Sequence, residues 1–324
     1  MAHAVKWGII STADINRKVI PGAHASPAVE LAAVASRDQA KADVYAKEWE
    51  IPRAYGTYEA LLADDEIEAV YISLPNTLHC EWSIKALEAG KHVLCEKPMS
   101  RNIAEVEAAF DAADKSGKLL SEAFMYRHNP QSKRARQLVE EGAVGELRLI
   151  RSTFSYSLYD EDNIRLRTDV DGGSLMDVGC YCVSGSRLFG GEPEHVQGEA
   201  WFGPSGTDWA FAGTLRFPND VVALFDCGTA LPERDELEAV GCEGSLFLDD
   251  PWHCSHPVIE LRSEDGVERI EIEPEDSYRL ELENVSAAAR GEAELLLGRE
   301  DAVGQARALA ALHASATEER RVEL

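Results

Sequence analysis

The first part of the chain alternates short apolar runs with amphipathic stretches. The apolar runs predict β-strands at residues 4–10, 29–35, 68–74, 92–95 and 119–124. The stretches between and after them predict helices at residues 41–50, 58–63, 78–89, 104–115 and 131–141, three of them closed by glycine. Strands that alternate with helices of about ten residues are typical of right-handed βαβ units. The pattern predicts an α/β fold with a doubly wound parallel sheet, a Rossmann architecture that binds its ligand at the carboxyl ends of the strands.

The period of the pattern changes in the second part of the chain. Strands are predicted at residues 146–156, 211–217, 221–227, 236–240, 245–248 and 267–273. A helical stretch, 174–189, follows the glycine-rich sequence Asp171-Gly172-Gly173, and two more helices are predicted at 276–290 and 299–316. The pattern predicts an α+β domain with a large, mostly antiparallel, open-faced sheet and helices on one face.

A chain of 324 residues suits about two domains at roughly 150 residues each. We expect a dinucleotide-binding Rossmann domain in residues 1–125 and a domain for substrate binding and oligomerisation in residues 126–324. The C-terminal helices are candidates for packing back on the first domain. No apolar run approaches the roughly 20 residues that span a bilayer, and the N-terminus lacks the layout of a signal peptide. We therefore expect a cytoplasmic protein.

Acidic residues exceed basic ones by 58 to 32, which gives a formal net charge of −26. The excess is uneven, because residues 1–128 carry a net charge of −5 and residues 129–324 one of −21. A surface this negative repels phosphate backbones and anionic lipids. We therefore expect neither a nucleic acid nor a membrane as a partner. The nearly neutral first part remains compatible with an anionic cofactor.

The seven cysteines are scattered, and no Cys-x-x-Cys occurs, which favours reduced thiols in a cytosolic protein. His253, Cys254 and His256 form the tightest cluster of residues that could bind a metal. They have no partner cluster at zinc-finger spacing. We therefore expect no metal site.

The turn after the first strand reads Ser11-Thr12-Ala13-Asp14-Ile15-Asn16, where a dinucleotide-binding fold has Gly-x-Gly-x-x-Gly. Small residues still permit a close approach of the pyrophosphate, and the hydroxyls of Ser11 and Thr12 could donate to it. Asp14 is unfavourable there unless its side chain points away. Helix capping by Ser11 explains the same residues, so the turn alone does not decide between the two readings.

The end of the second strand carries Ser36 and Arg37, where NAD-dependent enzymes place a carboxylate for the ribose 2′-hydroxyl. An arginine beside a hydroxyl suits a 2′-phosphate, so NADP is the favoured cofactor. Asp38 could turn toward a ribose, which leaves NAD as an alternative. The alternative is that Arg37 is an ordinary surface arginine at the start of a helix, with no role in cofactor binding.

Four motifs, in order and at these spacings, resemble the glucose–fructose oxidoreductase/inositol dehydrogenase (Gfo/Idh/MocA) family. They are Leu74-Pro75-Asn76-Thr77-Leu78-His79, Cys95-Glu96-Lys97-Pro98-Met99, Glu122-Ala123-Phe124-Met125-Tyr126-Arg127, and the stretch from Asp171 to Tyr181. The chain is similar to the branch that holds glucose–fructose oxidoreductase, NADP-dependent D-xylose dehydrogenases and dimeric dihydrodiol dehydrogenases. That branch also has Ser-Arg after the second strand, and tyrosine rather than histidine at the position of Tyr181.

The resemblance implies roles for individual residues. Lys97, Tyr181 and Asp177 would be catalytic, with Tyr181 as general acid–base and Lys97 as its activator, although the two roles are interchangeable in principle. Arg127 would face cofactor phosphate or the cleft, and Arg165 would contact cofactor or substrate. Tyr156 and Tyr159 are candidates for stacking on a sugar ring. The cofactor would contact the following residues: Ser11, Thr12, Ala13, Ile15, Ser36, Arg37, Leu74, Pro75, Asn76, His79, Glu96 and Lys97.

The resemblance implies an NADP-dependent dehydrogenase or reductase that acts on a pyranose hydroxyl, with the anomeric carbon of D-xylose or D-glucose as the expected position. A dihydrodiol or dicarbonyl oxidoreductase would use the same residues. A non-catalytic NADP-binding regulator is a third hypothesis, which predicts loss of the acid–base pair. A homodimer or homotetramer through the C-terminal sheet is expected.

Overall fold

The computed structural model describes residues 3–158, 160 and 162–324. The chain divides into two compact units. The first contains the residues up to His128 together with Asp276–Val303, and the second contains Asn129–Glu275 and Gly304–Leu324. The helix predicted at 276–290 is therefore part of the unit that the N-terminal segment forms.

The first unit is built on a six-stranded parallel sheet with the order β3-β2-β1-β4-β5-β6. Its strands are β1 (Val5–Ile10), β2 (Val29–Ala35), β3 (Arg53–Tyr55), β4 (Ala69–Ile72), β5 (His92–Glu96) and β6 (Leu120–Ala123). The strand order reverses at β1, whose neighbours are β2 and β4, so the loops after these strands border a crevice at the carboxyl edge. The predicted doubly wound sheet is confirmed. Strand β3 escaped prediction because its three residues are only half-buried and form no apolar run.

Helices cover this sheet. They are α1 (Asn16–Ala25), α2 (Gln39–Glu48), α3 (Tyr58–Leu62), α4 (His79–Glu88), α5 (Ile103–Ser116) and, from the C-terminal segment, α8 (Ser277–Ala289). Gly117 ends α5 with φ 67°, a left-handed conformation that glycine adopts without strain. Helix α8 packs against α1, and Leu282 and Val285 bury their side chains in one core with Trp7. The indole of Trp7 donates to the hydroxyl of Ser286 at 3.0 Å. Apolar burial therefore attaches the C-terminal segment to the sheet, at about 25 cal/mol per Å².

The second unit is built on a nine-stranded sheet with the order β14-β13-β12-β11-β7-β10-β9-β8-β15. Its strands are β7 (Leu147–Ser157), β8 (His195–Phe202), β9 (Asp208–Arg216), β10 (Val222–Gly228), β11 (Ala230–Gly241), β12 (Ser245–Leu248), β13 (Val258–Ser263), β14 (Gly266–Glu271) and β15 (Val322–Glu323). The pair β7–β10 is parallel and the other pairs are antiparallel, which confirms the predicted mostly antiparallel sheet.

Three helices complete the set: α6 (Pro130–Glu140), α7 (Cys180–Gly190) and α9 (Arg299–Glu318). A π-helical turn, Leu175–Gly179, comes directly before α7, so the predicted helix at 174–189 begins with a different hydrogen-bond pattern. Strands β8 and β13 were not predicted, because polar and charged residues interrupt their apolar positions. Within the described part of the chain, no helix combines the length and apolarity needed to cross a membrane.

Candidate active site

The turn that follows β1 replaces glycines with a network of small polar side chains. Ser11 has φ 109°, in the left-handed region where glycine is normally preferred. Its hydroxyl donates to the carbonyl of Ser73 (2.9 Å) and accepts from the backbone N–H of Ala13 (3.2 Å). Asn16 is fully buried, and it donates to the carbonyl of Ser11 (3.0 Å) and accepts from the Ser73 hydroxyl (2.7 Å). These bonds stabilise a turn that glycines would otherwise have to form.

The acidic side chain of this turn, Asp14, points into solvent. The Asp14 side chain is 98% exposed and pairs with Arg17 at 3.2 Å. Thr12, Ala13 and Ile15 are partly buried, next to the start of α1. The first N–H groups of α1, in Asn16, Arg17 and Lys18, donate to carbonyls of the turn itself at 3.2, 3.0 and 2.8 Å. The turn keeps small side chains at the start of a helix, where the helix dipole favours an anion, but these donors and the Ser11 hydroxyl already have partners inside the protein.

Ser36 and Arg37 lie where β2 ends. Ser36 is buried, and its backbone N–H donates to the carbonyl of Tyr55 at 2.9 Å. Arg37 is exposed and lies beside the Tyr58 hydroxyl: burial raises the pKa of Tyr58, and the nearby guanidinium partly offsets this. The Asp38 carboxylate accepts the backbone N–H of Lys41 at 3.0 Å and so caps α2. Asp38 is thus engaged by its own helix, which weakens the argument for NAD.

His79 joins the two loops that follow β4 and β5. The ring is buried, with Nδ1 at 2.9 Å from the carbonyl oxygen of Pro98 and Nε2 at 2.7 Å from that of Leu74. Burial lowers the pKa of His79 to about 4, so the ring is neutral at pH 7 and its single N–H donates to one of these carbonyls. His79 therefore lies between the loop of Leu74, Pro75 and Asn76 and the peptide after Lys97, hydrogen-bonded to one of them and packed against the other.

Glu96 ends β5, directly before Lys97, within a group of buried acids. The Tyr71 hydroxyl donates a hydrogen bond to the buried Glu96 carboxylate. Glu281, on α8, is fully buried, and neither of its carboxylate oxygens has a hydrogen-bond partner among the described residues. Burial, followed by the charges of Glu96 and Asp276, raises the pKa of Glu281 well above its ordinary value. Glu281 therefore holds a proton at a pH where exposed glutamates are ionised.

Arg127 lies in the 3₁₀ turn Met125–His128 that follows β6. Its guanidinium is nearly buried and pairs with Asp301, near the start of α9, at 3.3 Å. The side chain thus takes part in an ion pair inside the first unit. Its expected contact with cofactor phosphate stays a prediction.

In the second unit, two side chains hold the carboxylate of Asp177. The Tyr156 hydroxyl donates to Oδ2 at 2.6 Å, and Nε of Arg165 donates to Oδ1 at 3.1 Å. Burial, reinforced by Asp177, raises the pKa of Tyr156, so this tyrosine keeps its proton. The structure thus brings Asp177 and Arg165 together and adds Tyr156 as a hydrogen-bond partner. Tyr159 lies outside the described residues.

Tyr181 lies at the start of α7 within an aromatic group. Its ring stands edge-on to Phe154, with centroids 5.3 Å apart, and is tilted against Trp252 at 5.9 Å. Phe154 also stacks on Trp252 at 6.2 Å. Tyr181 is 6% exposed, so its packing is that of a core residue. Lys97 belongs to the first unit, and Tyr181 belongs to the second.

Asp208 fixes the loop that carries these residues. Its buried Oδ2 accepts the Ser174 hydroxyl and the backbone N–H of Leu175, both at 2.7 Å. Gly173 has φ 125°, and a Cβ there would lie 2.1 Å from Oδ1 of Asp208. The glycine therefore permits the close approach of Asp208, which holds the start of the π turn with Asp177.

We expect Asp208→Ala to lower the unfolding free energy by about 2–3 kcal/mol, because two buried donors lose a charged acceptor. Denaturant unfolding measures the loss. Asp208→Asn retains one side-chain acceptor, so its unfolding free energy is expected to fall by less than that of Asp208→Ala. Equal stability of Asp208→Ala and the wild-type protein would show that the loop does not depend on this carboxylate.

Some of these residues could not be identified from the sequence. Asn16 occupies the third glycine position of the turn, and this unusual residue was the available sign of its role. Its side-chain amide holds the turn through the Ser11 carbonyl and the Ser73 hydroxyl. Three other residues lie far along the chain from the site residues near them, and no local motif marks them: Asp208, Trp252 and Glu281.

Comparisons with known proteins agree with the motifs. Residues 5–124 match the family model described as "Oxidoreductase family, NAD-binding Rossmann fold", and residues 132–247 match "GFO/IDH/MocA C-terminal domain". The chain is 40% identical to "D-xylose 1-dehydrogenase (NADP(+)) 2" of Haloferax volcanii, over 98% of this chain and 99% of that one. It is 33% identical to "Trans-1,2-dihydrobenzene-1,2-diol dehydrogenase" of Danio rerio, over 98% and 96% of the two chains.

A solved structure extends the similarity to three dimensions. A 3-ketoreductase from Actinomadura kijaniata, in complex with NADP and TDP-benzene, has a TM-score of 0.91 and 29% identity, and the match covers 97% of this chain and 98% of that one. The fold class, the oxidoreductase class and the family resemblance predicted from the sequence are thereby confirmed. The chain belongs to the Gfo/Idh/MocA family of oxidoreductases, with an NAD-binding Rossmann fold in its N-terminal part.

Proposed function

We propose that this protein is an NADP-dependent dehydrogenase or reductase of a sugar, acting at the anomeric carbon of an aldose such as D-xylose or D-glucose. The observation that carries the proposal is the full-length similarity to D-xylose 1-dehydrogenase (NADP(+)) 2, at 40% identity. Relatives of this kind confirm the predicted reaction class and cofactor. The choice of sugar and of the attacked hydroxyl is part of the proposal.

The residues at the carboxyl edge of the first sheet fit the cofactor. We assign the pyrophosphate to the turn of Thr12, Ala13 and Ile15, which is partly exposed at the start of α1, where the helix dipole favours an anion. Exposed Arg37 is available for a 2′-phosphate, and the buried Ser36 stands beside it. We assign the loop of Leu74, Pro75 and Asn76, which His79 contacts, to the nicotinamide side and Glu96 to its ribose. Arg127 and Arg165 remain proposed contacts.

The bound cofactor would supply the acceptor or donor of a hydride. We assign to Tyr181 the transfer of the substrate hydroxyl proton, which a phenolate accepts in oxidation and a phenol returns in reduction. A phenol with an ordinary pKa near 10 needs about 4 kcal/mol of stabilisation of its anion to act near pH 7. We assign that stabilisation to the Lys97 ammonium. Asp177, held by Tyr156 and Arg165, would accept a hydrogen bond from a second sugar hydroxyl.

A dihydrodiol or dicarbonyl oxidoreductase is the second candidate, favoured by the 33% identity to the Danio rerio enzyme. A non-catalytic NADP-binding regulator finds less support, because Lys97, Asp177 and Tyr181 are all present. Purified enzyme should be assayed for NADP reduction with aldoses and trans-diols, and for NADPH oxidation with diketones. The proposal expects the highest kcat/KM with an aldose. A preference for diols or diketones would favour the second candidate.

We expect Arg37→Ala to weaken NADP binding about 10- to 100-fold, because a charged hydrogen bond to phosphate contributes roughly 1.5–3 kcal/mol. NAD binding should change little, since NAD lacks the 2′-phosphate. Fluorescence titration with NADPH and NADH measures both affinities. Arg134→Ala is the matched control, because Arg134 is a partly exposed arginine of the second unit that pairs with Glu141 and is assigned no cofactor contact. Equal loss for both cofactors would contradict the 2′-phosphate role.

We propose that the open face of the second sheet forms a homodimer or homotetramer interface. A groove of about 940 Å³ lies on this face. Three arginines and three glutamates line it: Arg151, Arg234, Arg262, Glu199, Glu236 and Glu238. Within the chain, Arg151 and Arg262 lie 3.7 and 3.6 Å from Glu238, and Arg234 pairs with Asp226, which also lines the groove. A two-fold interface would set these mixed charges of one copy against those of the other. Light scattering should give a dimer or tetramer mass, and a monomer at working concentrations would contradict this proposal.

We propose that the protein is cytoplasmic. All seven cysteines are free thiols, and six of them are buried. Free thiols are typical of a reducing compartment. Fractionation of the native cell should recover the activity with the cytoplasmic markers, and recovery outside the cell would contradict this.

A further inference from the structure

We propose that Asp235, Asp250 and His253 form a binding site for a divalent transition-metal ion such as Zn²⁺. Asp235 lies on β11, and Asp250 and His253 lie in the loop after β12, all within the second unit. One ligand atom from each residue can be chosen so that all three lie within 4.8 Å of one another. None of the three residues has a role in the proposed hydride transfer.

The distances between the ligand atoms suit one small ion. Nδ1 of His253 lies 2.7 Å from Oδ2 of Asp235 and 3.9 Å from Oδ1 of Asp250. Tetrahedral zinc with bonds of about 2.0–2.1 Å places neighbouring ligand atoms about 3.3 Å apart. The 2.7 Å contact is a hydrogen bond, which the ion would replace, so Nδ1 and Oδ2 would move about 0.6 Å apart to share one ion, with water completing its coordination.

The backbone of the loop already holds one of the three ligands, Asp250, in place. Oδ2 of Asp250 accepts the N–H groups of Ser255 (2.5 Å) and His256 (3.1 Å), so the loop closes on this carboxylate. Trp252 is fully buried and donates from its indole to the carbonyl of Thr153 at 3.0 Å. The edge of Phe154 packs against the His253 ring at 5.5 Å. The bonds to Asp250 reduce the entropy lost on binding an ion, while the half-exposed His253 is free to adjust.

The charges of the group favour a dication. Two carboxylates lie close together at a largely buried position. Their side chains are only 15% and 19% exposed, so water screens the two negative charges poorly, and a divalent ion would neutralise them. An imidazole nitrogen with two carboxylates is a ligand set for zinc and similar metals, whereas Ca²⁺ and Mg²⁺ prefer oxygen ligands alone.

The proposed ligands differ from the cluster that the sequence offered. Cys254 is buried and its thiol donates to the carbonyl of Pro251 at 3.3 Å, while His256 is exposed. Asp235 comes from a different strand, which brings a carboxylate to His253. Spacing along the chain predicts no metal site, but the sheet brings Asp235 next to Asp250 and His253.

A metal at this position would link the loop that carries Trp252 to strand β11 and so stabilise the loop. The Trp252 ring contacts Tyr181, with centroids 5.9 Å apart. The ion would therefore have a structural role, stabilising the wall of aromatic rings around Tyr181 without contact with the reacting atoms.

The test uses the tag-free, full-length protein after treatment with a chelator and desalting. Titration calorimetry with zinc chloride is expected to show one saturable site, and the melting temperature is expected to rise with zinc. Asp250→Asn and His253→Gln should abolish the saturable site. Each variant keeps a side chain of similar size, and far-UV circular dichroism checks that it folds. If one variant fails to fold, Asp235→Asn replaces it.

Two control variants separate this site from adventitious binding. His256→Gln removes an exposed imidazole of the same loop, and Cys242→Ser removes the exposed thiol; both should still bind one equivalent of zinc. The proposal is overturned if the wild-type chain shows no saturable binding, if Asp250→Asn and His253→Gln bind zinc as the wild type does, or if either control variant loses the site.

Discussion

A Tyr181→Phe enzyme is expected to lose about 10³-fold in kcat, because a positioned acid–base group contributes roughly 10²- to 10⁴-fold. The substitution removes one oxygen and keeps the ring that packs on Phe154 and Trp252. The fold and the binding of NADP should therefore be unchanged. Steady-state kinetics with the best aldose, together with NADPH titration, measures the two effects separately.

Tyr156→Phe is the matched control for this substitution. Tyr156 lies in the same unit and donates to Asp177, and its raised pKa keeps it protonated, so its loss should affect sugar binding more than proton transfer. If Tyr181→Phe retains more than about a tenth of the wild-type kcat, Tyr181 is not the acid–base group.

Combining Tyr181→Phe with Lys97→Met tests the proposed pairing. Residues that act in one proton transfer give non-additive losses, so the double variant should be no slower than the slower single variant. Multiplying losses would indicate that Lys97 acts independently, for instance on the cofactor alone.

A Glu281→Gln protein is expected to be more stable than the wild type at neutral and higher pH. Glu281 is fully buried, and its carboxylate oxygens find no hydrogen-bond partner within the described chain. Burial, Glu96 and Asp276 raise its pKa, so the folded state keeps a proton that the unfolded state releases above its ordinary pKa near 4.5. Between that pH and the raised folded pKa, this group lowers stability by about 1.4 kcal/mol per pH unit.

Thermal unfolding between pH 5 and pH 8 measures this effect. The difference in melting temperature between Glu281→Gln and the wild type should grow as the pH rises, because glutamine has no proton to lose. Glu283→Gln is the control, since Glu283 lies on the same helix and accepts from Ser26 at 2.9 Å. If Glu281→Gln is the less stable protein at pH 8, Glu281 is ionised and paired in the fold.

Much of the fold could be read from the sequence because apolar burial dominates it. The parallel sheet of the first unit has strands buried on both faces, so β2 and β4 stand out as apolar runs. Strands β3 and β8 lacked that signal, because their residues are half-buried or alternate with exposed charges. Their places depend on pairing with β2 and β9, which no local window contains.

In the candidate site too, the sequence identified some features and only the tertiary structure shows others. The motifs around Lys97 and Tyr181 are contiguous, so their order along the chain was enough to identify the family and to nominate Arg37, Asp177 and their neighbours. The tertiary structure alone decided that Asp177 is held by Tyr156 and Arg165, that Ser11 takes a left-handed conformation supported by Asn16, and that Asp235 meets His253. Local patterns record which face of an element is apolar, whereas hydrogen bonds and ion pairs between distant residues exist only after the elements have packed.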